Sequence, residues 1–336
     1  MSSFIAVGEN IHCTRIVKSG GKRAVELPGG GEGVTFDWQG QDRVLRVPAD
    51  WEKTSPAYGD GKIRHVQLAI WQALNGSGDD QQAGIDYLCW AAEQQIDNGA
   101  RFLDVNVDEY TNDDAERIEI MKWTASFLAE RYETQLSIDS SNVQVLAAGL
   151  ECCRTGSAPM VNSVSLERED AVDVVVQYAA DAIVSAAAKE GLPSGIDDRL
   201  DNFSAIIDIL QKKGMDLPKM HLDALVLPIS TDPMNGKNFL EASRQAAGRW
   251  SGINLTGGLS NVSFGMPNRK LLNMVFCYLF VEHGGTGGII DPVSMSPEAI
   301  GAMDPDDEAF VLARNVLEGA DQFGMEYISA SREGRI

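Results

Sequence analysis

"RFLDVNVDEYTNDDAERIEIMKWTASFLAERYETQLSIDSSNVQVLAAGLECC", residues 101–153, contains the unit from which the chain is built. The apolar run "RFLDVNV" (101–107) carries Asp104 and Asn106 near its end. It gives way to "TNDDAERIEIMKWTASFLAERY", whose acids fall in the first turn, where the positive end of a helix dipole favours them. A second run, "QLSIDSSN" (135–142), reaches Asp139, and Ser140 or Ser141 is placed to cap the helix "VQVLAAGLECC". Strand, helix, strand, helix in so short a space reads as parallel strands joined by crossover helices.

The same unit recurs on both sides. "FIAVGEN" (4–10) precedes it. "PMVNSVS" (159–165) follows with a helix through Ala179, then "ADAIVSA" (180–186) with a helix around Phe203 to Lys213. "HLDALVLP" (221–228), "GINLTGG" (252–258) and "GGIIDP" (287–292) bring the strands to eight. Eight alternating units favour a closed (β/α)8 TIM barrel over an open sheet, here as a single α/β domain over residues 1–336. Residues 13–80 break the rhythm, being far longer than an ordinary strand-to-helix connection. Gly-rich turns and the alternating stretches "VTFDW" and "RVLRV" read as a β-hairpin excursion. Leaving the first strand at its C-terminal end, this insertion is expected on the active face of the barrel, as a lid, a docking element or a dimer contact.

Composition narrows the function classes. A formal charge of −21 on 336 residues repels phosphate backbones and anionic lipid, and no basic patch offsets it, so neither nucleic acid nor membrane is an expected partner. Small molecules and a basic-faced protein fit better. The start "MSSFIAVGEN" has no basic stretch followed by a long apolar segment, so a soluble cytoplasmic protein is expected. Five cysteines without a CxxC pair suit reduced thiols rather than structural disulfides. The four histidines, His12, His65, His221 and His283, lack the spacing of a metal site and read as core or surface residues, so no metal of its own is expected.

Polar residues collect at the strand ends, where barrel enzymes build their sites. Asp104 and Asn106 close the second strand, Asp139 the third, Asn162 and Ser163 the fourth, and Asp223 the sixth, while Asn261 follows the seventh and Asp291 closes the eighth. Helix capping is the competing explanation for Asp139 and Asn162. Converging carboxylates and carboxamides suit a neutral heterocycle rich in donors and acceptors, since a carboxylate accepts two adjacent N–H groups as a fork. On these residues a pterin, a purine and another cyclic amide fit equally.

"GENIH", "LDVNV", "SIDSSN", "VNSVSLE", "LDALVLP" and "GLSNVS" with "NRKLLN" after it, taken in order, resemble the methyltetrahydrofolate:corrinoid methyltransferase family, which includes the folate module of cobalamin-dependent methionine synthase. The resemblance runs over residues 4–12 and from about residue 84 to 292. Phe264, "SVSLE" after Asn162, and Ala224 depart from the family pattern. Dihydropteroate synthases are a poorer match, because the chain lacks their Ser-Arg-Lys stretch after the seventh strand and their Arg-x-His after the eighth.

The resemblance implies a pterin-binding barrel that moves a methyl group between N5 of methyltetrahydrofolate and the cobalt of a corrinoid (cobalamin) carried by a partner protein. That role falls in one-carbon metabolism, either as the separate folate subunit of a methionine synthase or in a demethylation pathway running towards tetrahydrofolate. It further implies that Asp139, Asn162 and Asp223 hold the polar edge of the pterin, with Asp104 and Asn106 lining the pocket. Asn261 is then the catalytic residue, hydrogen-bonded near N5, on a turn shaped by Gly258 and Ser260. A homodimer is expected. The alternatives are a dihydropteroate synthase or a non-catalytic folate-binding protein, and for Asn261 a turn former chosen for a left-handed backbone.

Overall fold

Every apolar run becomes a strand of one sheet. The computed structural model describes residues 4–156, 158–189 and 191–336, so the first three residues of "MSSFIAVGEN" lie outside the described residues. The strands are β1 (Ile5–His12), β2 (Ala100–Asn106), β3 (Gln135–Asp139), β4 (Met160–Val164), β5 (Asp181–Ser185), β6 (Met220–Asp223), β7 (Asn254–Thr256) and β8 (Gly287–Ile290). They lie parallel in the order β7-β6-β5-β4-β3-β2-β1-β8. The two ends of that order meet: Thr286 N–H donates to Leu255 O (3.1 Å) and Ile289 N–H to Gly257 O (2.9 Å). The sheet therefore closes as the expected (β/α)8 barrel, with helices between the strands.

Two compact units make up the chain, residues 1–8, 98–102 and 158–336 in one, and 9–97 and 103–157 in the other. In the first, Val7, Phe102, Met160, Ile183 and Ile289 from five strands form a packed apolar cluster, the kind of interior layer that fills a barrel rather than leaving a pore. Register sets Ser185, Asp223 and Thr256 level with one another on β5, β6 and β7. The helix after β5 begins at Ile196 rather than near Phe203, because Asp197 and Asp198 form its acidic first turn and Leu200, Phe203, Ile206, Ile207 and Leu210 form its buried stripe. Beyond β8 the chain adds helices Pro297–Gly301, Glu308–Leu317 and Met325–Arg332.

The second unit holds the insertion. Glu32–Trp38 and Gln41–Arg46 form the expected hairpin, closed at Gln39 (φ 54°) and Gly40 (φ 77°), both in the left-handed conformation that a two-residue turn of this twist demands. Ala24–Glu26 adds a third strand, and Ile16–Lys18 pairs with Lys62–Arg64. The β character ends there. His65–Asn75 is a helix that buries Val66, Leu68, Ala69, Ile70 and Ala73, and it leads into the helix Asp79–Asp97 that feeds β2. Arg23 donates to the Tyr87 hydroxyl (2.5 Å), which lies 2.9 Å from His65 Nδ1, so one polar chain ties the hairpin sheet to both helices. All five cysteines are free thiols, and among the described residues no helix is long and apolar enough to cross a membrane.

The two helices touch backbone to backbone at Gly84, where a Cβ would lie 2.6 Å from both Ala69 O and Ala73 N. Gly84→Ala is therefore expected to destabilise the fold by about 1–3 kcal/mol, as overpacking against an immovable neighbour does. The midpoint of urea unfolding reads this directly, and an unchanged midpoint would contradict the close approach.

Candidate active site

In the second unit, β1, β2 and β3 bring His12, Asp104, Asn106 and Asp139 together. His12 Nε2 lies 2.8 Å from Asp104 Oδ2. Asn106 Nδ2 donates to Asp139 Oδ2 (2.9 Å), and the Asp108 N–H donates to Asn106 Oδ1 (3.0 Å), which fixes the way the amide points. Ligating atoms of His12, Asp104 and Asp139 all lie within 4.8 Å of one another, a grouping that has the donor types of a divalent-cation site as well as of an acid–base cluster. His12 thus belongs to the cluster, in contrast to the expectation of a plain core or surface histidine.

Charge is crowded here. Burial, and then the Asp104 carboxylate, push Asp139 up to about 7, against the pull of His12 and of the Asn106 hydrogen bond. For His12, burial acts downwards but is outweighed by its hydrogen bond to Asp104 and by the charges of Asp104, Asp139 and Glu9, leaving it raised. The cluster therefore holds protons near neutral pH.

The capping explanation fails at Asp139. Asn142 caps the following helix, accepting from Gln144 N–H (2.8 Å) and Val145 N–H (3.4 Å). Ser140 and Ser141, the expected caps, instead donate to Asp108 (2.6 and 2.8 Å), whose carboxylate is the stronger acceptor.

In the first unit, a second cluster forms around Asp223 at the end of β6. Leu225 N–H donates to Asp223 Oδ1 (2.8 Å), and the Gly258 N–H also donates to this carboxylate. Leu225 adopts φ 65°, an unfavourable conformation for leucine, and the adjacent Ala224 O is gripped by the buried Arg199 through Nε (2.7 Å). Burial lifts Asp223 to about 6, while both backbone hydrogen bonds and the Arg199 charge pull the other way.

Gly258 joins Asp223 to Asn261. Its N–H serves the carboxylate, its carbonyl accepts from Asn261 N–H (3.0 Å), and a Cβ on it would lie 2.8 Å from Asn261 Nδ2. A side chain at Gly258 would push the Asn261 amide out of this position. Asn261 sits inside the short helical turn Leu259–Ser263, and the left-handed asparagine of this stretch is Asn268 (φ 44°), so the turn-former explanation applies to Asn268 instead. Arg269 locks the turn by donating to Ser260 O and Ser263 Oγ, both at 3.0 Å, with its guanidinium 4.3 Å over the Phe264 ring.

Asn162 stands within β4, level with Ile183 of β5. It caps nothing, because the next helix begins at Asp170 after Glu169. Ser163 accepts from Arg168 Nη2 through both its carbonyl (2.9 Å) and its hydroxyl (2.8 Å). Asp291 makes a local turn, taking Val293 N–H (3.1 Å) and Ser294 Oγ (2.9 Å). His12, Asp108, Arg199 and Arg269 escaped the sequence reading as site residues, although His12 and Arg269 lie inside the quoted "GENIH" and "NRKLLN" stretches.

A family model described as pterin binding enzyme matches residues 77–291, more than half of the chain. The chain is 29% identical over 280 residues to a methylcorrinoid:tetrahydrofolate methyltransferase of Eubacterium limosum, covering 80% of this chain and 97% of that protein. It is also 29% identical over 255 residues to a methionine synthase of Mycobacterium tuberculosis, covering 68% of this chain but only 21% of that longer enzyme. Among solved structures, the 7,8-dihydropteroate synthase of Vibrio fischeri ES114 matches with a TM-score of 0.53 and 16% identity, over 73% of this chain and 89% of that one, which shows a shared fold.

A carboxyl held near 7 when folded, against about 4 when unfolded, costs stability above pH 7 and nothing well below pH 4. Asp139→Asn keeps an acceptor for Asn106 and removes the buried charge. It is expected to stabilise the ligand-free protein by about 1–3 kcal/mol at pH 8, an advantage that fades as the pH falls from 7 to 4. Thermal unfolding across that range checks it, and a pH-independent effect would contradict the crowded-charge geometry.

Proposed function

Because the chain belongs to the family of pterin-binding enzymes, we propose that it transfers a methyl group between N5 of methyltetrahydrofolate and the cobalt of a corrinoid carried by a partner protein. The observation that carries this reading is the short connection Asp223–Gly258–Asn261, which sets a carboxylate acceptor and a carboxamide on either side of one glycine. A pterin needs both: a carboxylate for its adjacent 2-amino and ring N–H donors, and a neutral hydrogen-bonding group where N5 changes its bonding. The names of the Eubacterium and Mycobacterium relatives point the same way.

In this reading Asp139, Asn162 and Asp223 hold the polar edge of the pterin, Asp104 and Asn106 line the pocket, and Asn261 faces N5. The corrinoid supplies the metal centre that takes up or gives the methyl group. As the bond between N5 and the methyl carbon breaks, its electron pair stays on N5, and a proton must arrive there to avoid an amide-like anion. Asn261 cannot supply that proton, since a carboxamide does not ionise near neutrality. Its role is to strengthen a hydrogen bond as N5 acquires N–H character, which lowers the barrier rather than tightening ground-state binding. Arg269 keeps the Asn261 turn rigid through the Ser260 carbonyl. The second reading, a dihydropteroate synthase, rests on fold likeness alone.

Mixing the purified protein with methyltetrahydrofolate and Co(I) cobalamin, and following the corrinoid spectrum, tests the activity. Asn261→Ala is expected to slow methyl transfer roughly tenfold to a thousandfold while changing tetrahydrofolate affinity much less. Asn261→Gly, which is compatible with almost any turn backbone, is expected to be equally slow. A glycine variant with normal transfer would remove Asn261 from the chemistry. Asp223→Ala should weaken folate binding by about 1–3 kcal/mol in titration calorimetry, because it strands buried ligand donors. Unchanged binding would rule out Asp223 as a pterin ligand.

A further inference from the structure

Arg199 is one of the largest fully buried side chains of the protein, at 1% exposure, and a buried guanidinium needs a reason. It rises from the first turn of the helix Ile196–Lys212 and spends its hydrogen bonds on main chain: Nε donates to Ala224 O (2.7 Å) and Nη1 to Gly195 O (2.8 Å). No carboxylate among the described residues lies within ion-pair distance of it. A helix needing only to be anchored would be served at lower cost by an apolar residue, as replacements of buried charges by hydrophobic side chains show.

The geometry supplies the reason. Ala224 lies between Asp223 and Leu225, and the Leu225 N–H that reaches back to Asp223 Oδ1 (2.8 Å) belongs to the same peptide as the Ala224 carbonyl. The peptide that Arg199 grips is the one whose rotation would undo that arrangement. Charge acts alongside hydrogen bonding. Arg199 is the charged side chain that acts on Asp223, together with the backbone N–H groups of Leu225 and Gly258, and the carboxylates that act on Arg199 are Asp223 and Asp198. Asp198 is already engaged by Ser194 N–H (3.0 Å) and Ser194 Oγ (2.5 Å).

We propose that Arg199 is the positioning residue of the Asp223 cluster: its buried guanidinium fixes the Asp223–Leu225 turn and sets the charge that Asp223 presents to a ligand. The functional sense of this rests on reading Asp223 as a pterin ligand, but the electrostatic link is measurable without one. A pterin presenting two N–H donors needs an ionised acceptor, and burial pushes Asp223 towards its neutral form.

The side-chain carboxyl of Asp223, followed by 13C NMR in the ligand-free protein and assigned with Asp223→Asn, should titrate near pH 6 in the wild type. Arg199→Gln, which keeps donors and removes the charge, is expected to move that midpoint up by about one pH unit, a tenfold change in the ionised-to-neutral ratio. Arg199→Lys, which keeps the charge, should stay within about a third of a unit. If Arg199→Gln does not fold, Arg199→Met removes the charge without adding a buried amide and should give the same upward shift. An unchanged midpoint in the neutral variant, or an equal shift in Arg199→Lys, overturns the proposal. Tetrahydrofolate titrations of the same proteins separate the two claims: the neutral variant should lose about fivefold in affinity at pH 6, as its ionised fraction falls, and far less at pH 8.5. A wild type that binds no folate would sink the proposed function while leaving the carboxyl titration to decide on Arg199.

Discussion

A carboxylate at the end of a barrel strand, partly buried and with no lysine or arginine in ion-pair contact among the described residues, is the constraint around which this protein is organised. Asp223 meets it with two backbone N–H groups, one from its own turn at Leu225 and one from Gly258 in the next unit of the barrel. Each is a directional, neutral donor that leaves lone pairs of the carboxylate open to a ligand. That choice propagates. The Leu225 donor belongs to the peptide whose carbonyl Arg199 holds, and the Gly258 donor brings with it the turn that carries Asn261.

Asp139 meets the same constraint differently. Its partner is the Asn106 amide, oriented by Asp108, and its neighbours Asp104 and His12 make the cluster hold protons near neutrality. Neither solution is the one a folding requirement would choose, since apolar residues would fill strand ends at lower cost. Groups whose environment displaces their ionisation, collected where a barrel builds its sites, are the pattern expected of a working surface.

Much of the fold was legible because each strand writes itself as a short apolar run closed by a polar residue, and all eight runs became barrel strands. The hairpin of the insertion was legible for a similar reason, its alternation in "VTFDW" and "RVLRV" flanking Gln39 and Gly40. The helix His65–Asn75 was not, since a segment already classed as β excursion gave no boundary signal before its buried stripe. Strand-end candidates could be picked singly, yet their partners could not: His12 and Asp104 are far apart in sequence and meet only because β1 and β2 are neighbours. Arg199, inside the acidic stretch "IDDRLDN", reads as a surface residue of a helix start, and only the path of the chain after β6 shows why it is buried. Capping was misassigned at Ser140 and Ser141 because the competing acceptor, Asp108, comes from a different strand-to-helix loop.

The most direct measurement is a crystal structure of the protein with methyltetrahydrofolate bound. The expected complex has the Asp223 carboxylate accepting from the 2-amino and ring N–H edge of the pterin and the Asn261 amide within hydrogen-bond reach of N5, with the Arg199 grip on Ala224 intact. A pterin bound away from Asp223, or bound there with Asn261 turned from N5, would contradict the assignment of this barrel to methyl transfer through that turn.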